Sequence, residues 1–279
     1  MSNRALTLWL IDDDDPAALL RGPLHNDVAQ ARELAARIYG DSVTLVPLAA
    51  TNLAAAMAGD DSHAFVGSFG SASVIASPLF ATRQPSTLTK TVASVAPAKV
   101  ATLLHTDPVE SIGVFARWED GVLRRSFSAN PIDIYEDSGL PFVFESPFWG
   151  GEYPLQYAEG VAPQPLALPF HPAQLAEHAN REWLGFRFTP PAVADDVDPA
   201  RIPVTAFAIH PAGYQPSGDD ERAYAASLAA TPATAAPTSA PPNQLATAFH
   251  GADGGDPETS GEAPKGGRVR RYFGFGSKD

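Results

Sequence analysis

The chain has no cysteine among its 279 residues. That absence excludes a disulfide framework, a thiolate zinc site, a cysteine-held iron–sulfur cluster and a cysteine nucleophile. Positive charge is scarce as well, with 19 lysines and arginines against 32 aspartates and glutamates, a formal net charge of −13. Such a balance argues against a nucleic-acid partner or an anionic membrane gripped by bulk attraction. Long apolar runs are also missing. Residues 5–11 form an apolar stretch of only seven before four consecutive aspartates, which suits neither a transmembrane segment nor a signal peptide. A cytoplasmic location is the expectation.

What is present suffices for a core, since 44% of the residues are apolar. The composition changes after Pro211: residues 212–267 are dominated by alanine, proline, threonine, serine and glycine, with little to bury. Residues 212–279 hold six basic and eight acidic side chains, leaving 13 against 24, a net of −11, for residues 1–211. The acidity therefore belongs to the body. The sequence predicts a globular domain over 1–211, a disordered linker over 212–267 and a short basic, aromatic motif over 268–279.

Periodicity gives the elements of the body. Residues 5–11 are nearly continuously apolar, the pattern of a central strand buried on both faces. Residues 27–38 place Val28, Ala31, Leu34, Ala35 and Ile38 on one helical face, with Asn26 as a candidate N-cap and Gly40 past the end. Strands are expected at 42–48, 64–69, 74–76, 100–105, 112–118 and 204–209. Short helices are expected at 52–57 and between 79 and 95. Asp120-Gly121, set between two β-rich runs, predicts a tight hairpin because both residues tolerate positive φ. Residues 141–169, rich in proline and aromatics, should wrap the surface, and Pro172 opens a helix that ends at Gly185. The fold class is α/β or α+β: one mixed β-sheet flanked by helices, opening as β-α-β and continuing as a meander.

Several stretches carry a resemblance. They are Trp118 to Ser126, Glu136 to Pro141, Phe144 to Trp149 with Gly151 and Glu152, and Leu168 to Pro172 leading to Leu184, Gly185 and Phe186. Together they resemble an uncharacterised actinobacterial domain-of-unknown-function family, most closely over 113–186. The resemblance implies shared structure and assigns no activity, cofactor or catalytic residue.

Candidate sites are few. Asp12, Asp13, Asp14 and Asp15 follow the first strand, where carboxylates of an open α/β sheet can hold magnesium for phosphoryl transfer; Asp12 and Asp14 are the candidate ligands. The same residues also suit helix capping ahead of Pro16. Gly67 to Ser73 offers amides to a phosphate but lacks the P-loop lysine, and no Gly-x-Ser-x-Gly elbow exists. The seven histidines form no HxxxH or HExxH pair. His105 with Asp107 has the spacing of a base with an orienting carboxylate at a strand end. Glu136, Asp137, Glu145 and Glu152 alternate with Tyr135, Phe142, Phe144, Phe148, Trp149 and Tyr153, a composition that suits either a binding cleft or packing on the sheet. Arg268, Arg270, Arg271, Tyr272 and Phe273 form the basic cluster near the C-terminus, suited to a partner groove or to the acidic body itself.

No complete catalytic constellation emerges from these residues. The reading is a non-enzymatic interaction module without a cofactor, binding an unidentified protein partner through Trp149, Glu152 and the terminal motif. The alternative is a magnesium-dependent hydrolase or phosphotransferase built on Asp12 and Asp14, with His105 and Glu145 as further catalytic candidates.

Overall fold

In the computed structural model, which describes residues 5–58, 63–95, 97–157, 160 and 164–230, nine strands form one sheet. In chain order the larger elements are β1 (Ala5–Ile11), α1 (Pro16–Arg21), α2 (Val28–Tyr39), β2 (Val43–Asn52), α3 (Leu53–Met57), β3 (His63–Ser68) and β4 (Ala72–Ala76). Then come α4 (Thr89–Val95), β5 (Val100–Asp107), β6 (Ile112–Glu119), β7 (Val122–Ala129), β8 (Ile134–Gly139), α5 (Ser146–Trp149), α6 (Pro172–Leu184), β9 (Pro203–Pro211) and α7 (Gly218–Ala230). The spatial order is β2-β9-β3-β4-β1-β5-β6-β7-β8, and every adjacent pair is antiparallel.

Of the two classes the sequence left open, the architecture is α+β. The opening does run strand, helix, strand, but β2 lands at the far edge beside β9, so no parallel pair forms. β1 is central, between β4 and β5, and all seven of its residues are buried. Its unbroken apolar pattern follows from cover on both faces. Leu6, Leu8 and Leu10 join Leu34, Ile75, Leu103, Trp118 and Phe207 on the side of α2 and α4. Trp9 and Ile11 join Phe115, Phe127, Leu175, Leu184 and Phe186 on the side of α6.

Local signals explain most boundaries. The β6–β7 hairpin turns at Asp120 (φ 50°) and Gly121 (φ 75°), as a primed turn requires. Pro172 begins α6 and Gly185 (φ 80°) ends it. Helix α6 lies directly on β6: a Cβ built on Gly113 would sit 2.1 Å from the Pro172 carbonyl oxygen, so only glycine permits this approach.

Four expectations shift. The cap of α2 is Asp27, whose side chain accepts the Gln30 N–H, while Asn26 bonds across to Ser68 and Thr205. Residues 141–169 include a 3-10 turn (Val143–Glu145) and α5, because Pro147 and the Glu145 side chain favour a helical turn there. Strand β8 is an addition, hidden in the sequence by its acids, serine and glycine. The fourth change concerns residue 212, where the disordered linker was expected to begin. Residues 218–230 form α7, which packs along β2 and receives the Ala50 N–H on Ser227 Oγ at 2.9 Å. The described part of the compact unit accordingly runs past residue 211 to residue 230.

Candidate functional site

At the end of β1 the aspartates are committed to local structure. Asp12 Oδ1 accepts the Lys99 N–H at 2.9 Å. Asp13 accepts from the Asp15 N–H and from Ser71 Oγ, both at 2.9 Å, and these bonds, the amide first, hold its carboxyl below the usual range. Asp14 is exposed, 3.5 Å from Lys99 Nζ. Asp15 caps α1 by accepting the Ala18 N–H, with Pro16 at the first helical position. Among the described residues no group of three or more His, Asp or Glu is placed to hold a metal ion.

The residues considered for catalysis do not converge. His105 pairs with Leu6 in the register of β1 and β5, whereas Ile11, next to Asp12, pairs with Val100. Five residues of strand separate them, roughly 17 Å at about 3.4 Å each. His105 shares the α2 side with Leu103, and its Nδ1 lies 3.4 Å from the Thr82 carbonyl oxygen. Asp107 closes the β5–β6 turn by accepting the Val109 and Glu110 N–H groups. Glu145 lies on the opposite side of the sheet.

Glu145 belongs to a polar cluster that the sequence reading saw only in part. Arg125 occupies an inward position of β7, two residues before Phe127, and is fully buried. Its Nε and Nη2 donate to the two oxygens of the equally buried Glu145 at 2.9 and 2.7 Å. Its Nη1 donates to Asp137 of β8 and to the Ser138 carbonyl oxygen. Burial works to lower the Arg125 pKa, but the bonds to Glu145 and Asp137 outweigh it and hold the guanidinium charged. Glu145 also accepts the Phe142 N–H at 2.9 Å, so one ion pair ties β7, β8 and the turn before α5 together. On the other face Glu136 accepts from Ser126 and from the N–H and Oγ of Ser86, which fixes β8 from that side. The signal for this cluster was an arginine at an inward strand position followed by acids at 136, 137 and 145.

The result is a firmly held outer strand whose far edge pairs with no other strand among the described residues. β8 is the last strand in the order. Ile134, Asp137, Ser138 and Gly139 are exposed, and Ile132, Leu140 and Val143 extend the apolar exposure on either side. Trp149 sits edge-on to Phe127, the register partner of Asp137, and Glu152 and Tyr153 are exposed just beyond it. Trp149, expected from sequence to bind, thus packs over β7, one strand in from the edge, and Glu152, expected with it, follows in the turn after α5.

Behind that rim is a second buried group. Glu177 of α6 is buried, and its Oε2 accepts the Phe188 N–H at 2.8 Å. Burial pushes its carboxyl up to about 7, against smaller opposing effects of the Phe188 amide and Arg187. Arg187 Nη2 meets His178 Nδ1 at 3.1 Å, and His178 packs among Phe144, Phe148 and Tyr153. Burial first, then Arg187, holds His178 below the usual histidine range. Sequence reasoning missed Glu177, although its spacing to Asn180 and Leu184 places it on the inward face of the helix.

Arg268, Arg270, Arg271, Tyr272 and Phe273 lie outside the described residues. A family model described as a family of unknown function, DUF6928, matches residues 5–207. No curated protein and no solved structure matches. No helix among the described residues is long and apolar enough to cross a membrane.

Proposed function

The chain belongs to the DUF6928 family of unknown function, and from that premise we propose that it is a non-enzymatic interaction module that receives an extended basic peptide as an added strand along β8. The observation that carries the reading is the β8 edge, held in place by buried Arg125 and neither paired nor covered among the described residues. An edge strand presents alternate N–H and C=O groups to any extended chain, and side chains beside it set the preference. Here those side chains are Ile132, Ile134 and Trp149 for apolar contact, and Asp133, Asp137 and Glu152 for positive charge. The net −11 of residues 1–211 favours a basic partner in the same sense.

The segment Arg268, Val269, Arg270, Arg271, Tyr272, Phe273 has this chemistry and serves as the probe. A synthetic peptide of residues 266–275 is titrated into the full chain carrying Arg268→Glu, Arg270→Glu and Arg271→Glu, with amide exchange as the readout. Saturable protection of β8 amides, weakened by salt, is expected. Protection elsewhere in the sheet, or none, overturns the reading. As a complement, deleting residues 265–279 should change the partners recovered by pull-down; an unchanged set removes the terminal motif from the proposal.

A further inference from the structure

The loop from Gly67 to Ser73 lines a groove that the peptide edge does not use. It lies on the side of the sheet that carries α2, between that helix and the residues leading into β5, with a volume of about 390 Å³. That is within the usual span of small-molecule sites, roughly 300–1,000 Å³. Its apolar lining is Leu10, Leu34 and Pro97, while Asp12, Gln30, Arg37, Ser68 and Ser73 supply polar atoms.

The polar atoms are ordered by their own hydrogen bonds. Ser68 and Ser73 face each other across the β3–β4 register. Ser73 Oγ donates to Ser68 Oγ at 3.1 Å, and Ser68 Oγ donates to Gln30 Oε1 at 3.2 Å. Both hydroxyl protons are committed by this relay, which leaves Ser73 Oγ as an acceptor and the Gln30 amide nitrogen as a donor. Asp12 gives one oxygen to the Lys99 N–H and keeps the other as an acceptor. Arg37 adds guanidinium donors that its single bond to the Glu33 carbonyl does not use.

Donors and acceptors therefore both line the groove and outweigh the apolar surface that Leu10, Leu34 and Pro97 leave open to it. A ligand that complements them needs groups that donate and accept at once, with only a small C–H surface to set against Pro97 and the edges of Leu10 and Leu34. We infer that the groove binds a neutral polyhydroxylated small molecule, a monosaccharide or cyclic polyol. An anionic ligand fits poorly, because Arg37 is opposed by Asp12 and Glu33 in the same lining, with Asp13 beside them.

The test is a nitrogen-15 NMR titration of the full chain with glucose and with myo-inositol, set against inorganic phosphate and glycine. Saturable shifts are expected at Gly70, Ser73 and the Gln30 side-chain amide with one of the two polyols. Gln30→Ala and Arg37→Ala, both at exposed positions of α2, should each weaken binding about tenfold while the melting temperature holds. The inference is overturned by an absence of shifts with both polyols, by phosphate or glycine shifting the same amides more strongly, or by binding that neither substitution weakens. None of these outcomes involves β8, so this result and that of the peptide titration stand apart.

Discussion

At the β2 edge of the sheet, α7 lies along the outer strand, Ser227 takes the Ala50 N–H, and Pro47 interrupts the register with β9. At the β8 edge no helix among the described residues covers the strand, and rigidity comes from beneath, through Arg125, Asp137 and Glu145 on one face and Glu136 with Ser86 on the other. Both arrangements deal with a strand that has unpaired backbone groups. The first removes those groups from solvent; the second holds the strand from beneath, with Tyr135 bulged out of its register with β7, and no described residue covers its outer edge. On the proposed function, this difference is what lets β8, and not β2, take an added strand.

The most damaging way to break this comparison is Arg125→Met. Removing one member of a fully buried pair leaves Glu145 charged and uncompensated, which costs about 3–5 kcal/mol. Chemical denaturation should show that loss, and Arg125→Met combined with Glu145→Met should recover more than half of it. A single-variant cost under about 1 kcal/mol would mean that β8 does not depend on this pair.

Next in size is a pH effect confined to the β8 half. Glu177 has its carboxyl raised from 4.5 to about 7 by burial. A raised carboxyl binds its proton more tightly folded than unfolded, so its stabilising contribution is whole below about pH 4.5 and is lost as pH rises through about 7. At about 1.4 kcal/mol per unit the loss reaches about 3.5 kcal/mol. His178 and His171 are lowered, mainly by burial, and act in reverse: their contribution is present above pH 6.5 and lost as pH falls below it. Glu177→Gln should flatten the alkaline limb of the stability profile and leave the acid limb. Because His178 packs on Phe148 and Tyr153, the wild-type change should appear as faster amide exchange around α5, while α7 and β2 hold steady. An alkaline limb that survives the substitution would place the titration elsewhere.

The two halves also differ in how far they could be read in the sequence. β1, the Asp120-Gly121 hairpin and α6 were legible because each is specified locally, by an apolar run, a turn dipeptide, or a proline and a glycine at the two ends of a helix. α7 and β8 were not. The periodicity of α7 is shallow, its alanines matching a disordered composition as well as a helix, and its order depends on contact with β2. β8 consists of Ile134, Tyr135 and four small or acidic residues, and it exists because Arg125 and Ser86 bind those acids. The acids and aromatics of residues 135–153 were visible as a site. That Glu145 would be consumed in holding the strand, with Trp149 and Glu152 left at its rim, depends on which way each β7 side chain points, and the sequence alone left that open. Asp12 and Asp14 drew attention for the opposite reason: their position after a central strand resembles a metal crevice, whereas here the neighbouring strands run antiparallel, Asp12 accepts the Lys99 N–H and Asp14 is exposed.

A smaller effect is expected at the covered edge. Ser227→Ala removes the acceptor of the Ala50 N–H and should cost about 1 kcal/mol, seen as a lower denaturation midpoint and faster exchange at Ala50. If exchange at Ala50 is unchanged, α7 does not close this edge through that bond.

The smallest effect on stability should accompany the largest effect on binding. Ile134 is exposed at the start of β8, so Ile134→Lys should change the unfolding free energy by no more than about 0.5 kcal/mol. An edge lysine is a common obstacle to strand addition, because its charge must be desolvated or repelled when a second chain approaches. Here it would also face a basic peptide. Full chain carrying Ile134→Lys should therefore fold like the wild type by calorimetry and lose protection of β8 by the 266–275 peptide. Leu228→Lys, an equally exposed apolar position on α7, should leave that protection intact. If both substitutions weaken the peptide alike, binding follows net charge and the two edges are equivalent; if only Ile134→Lys does, the open strand is the surface that recognises the peptide.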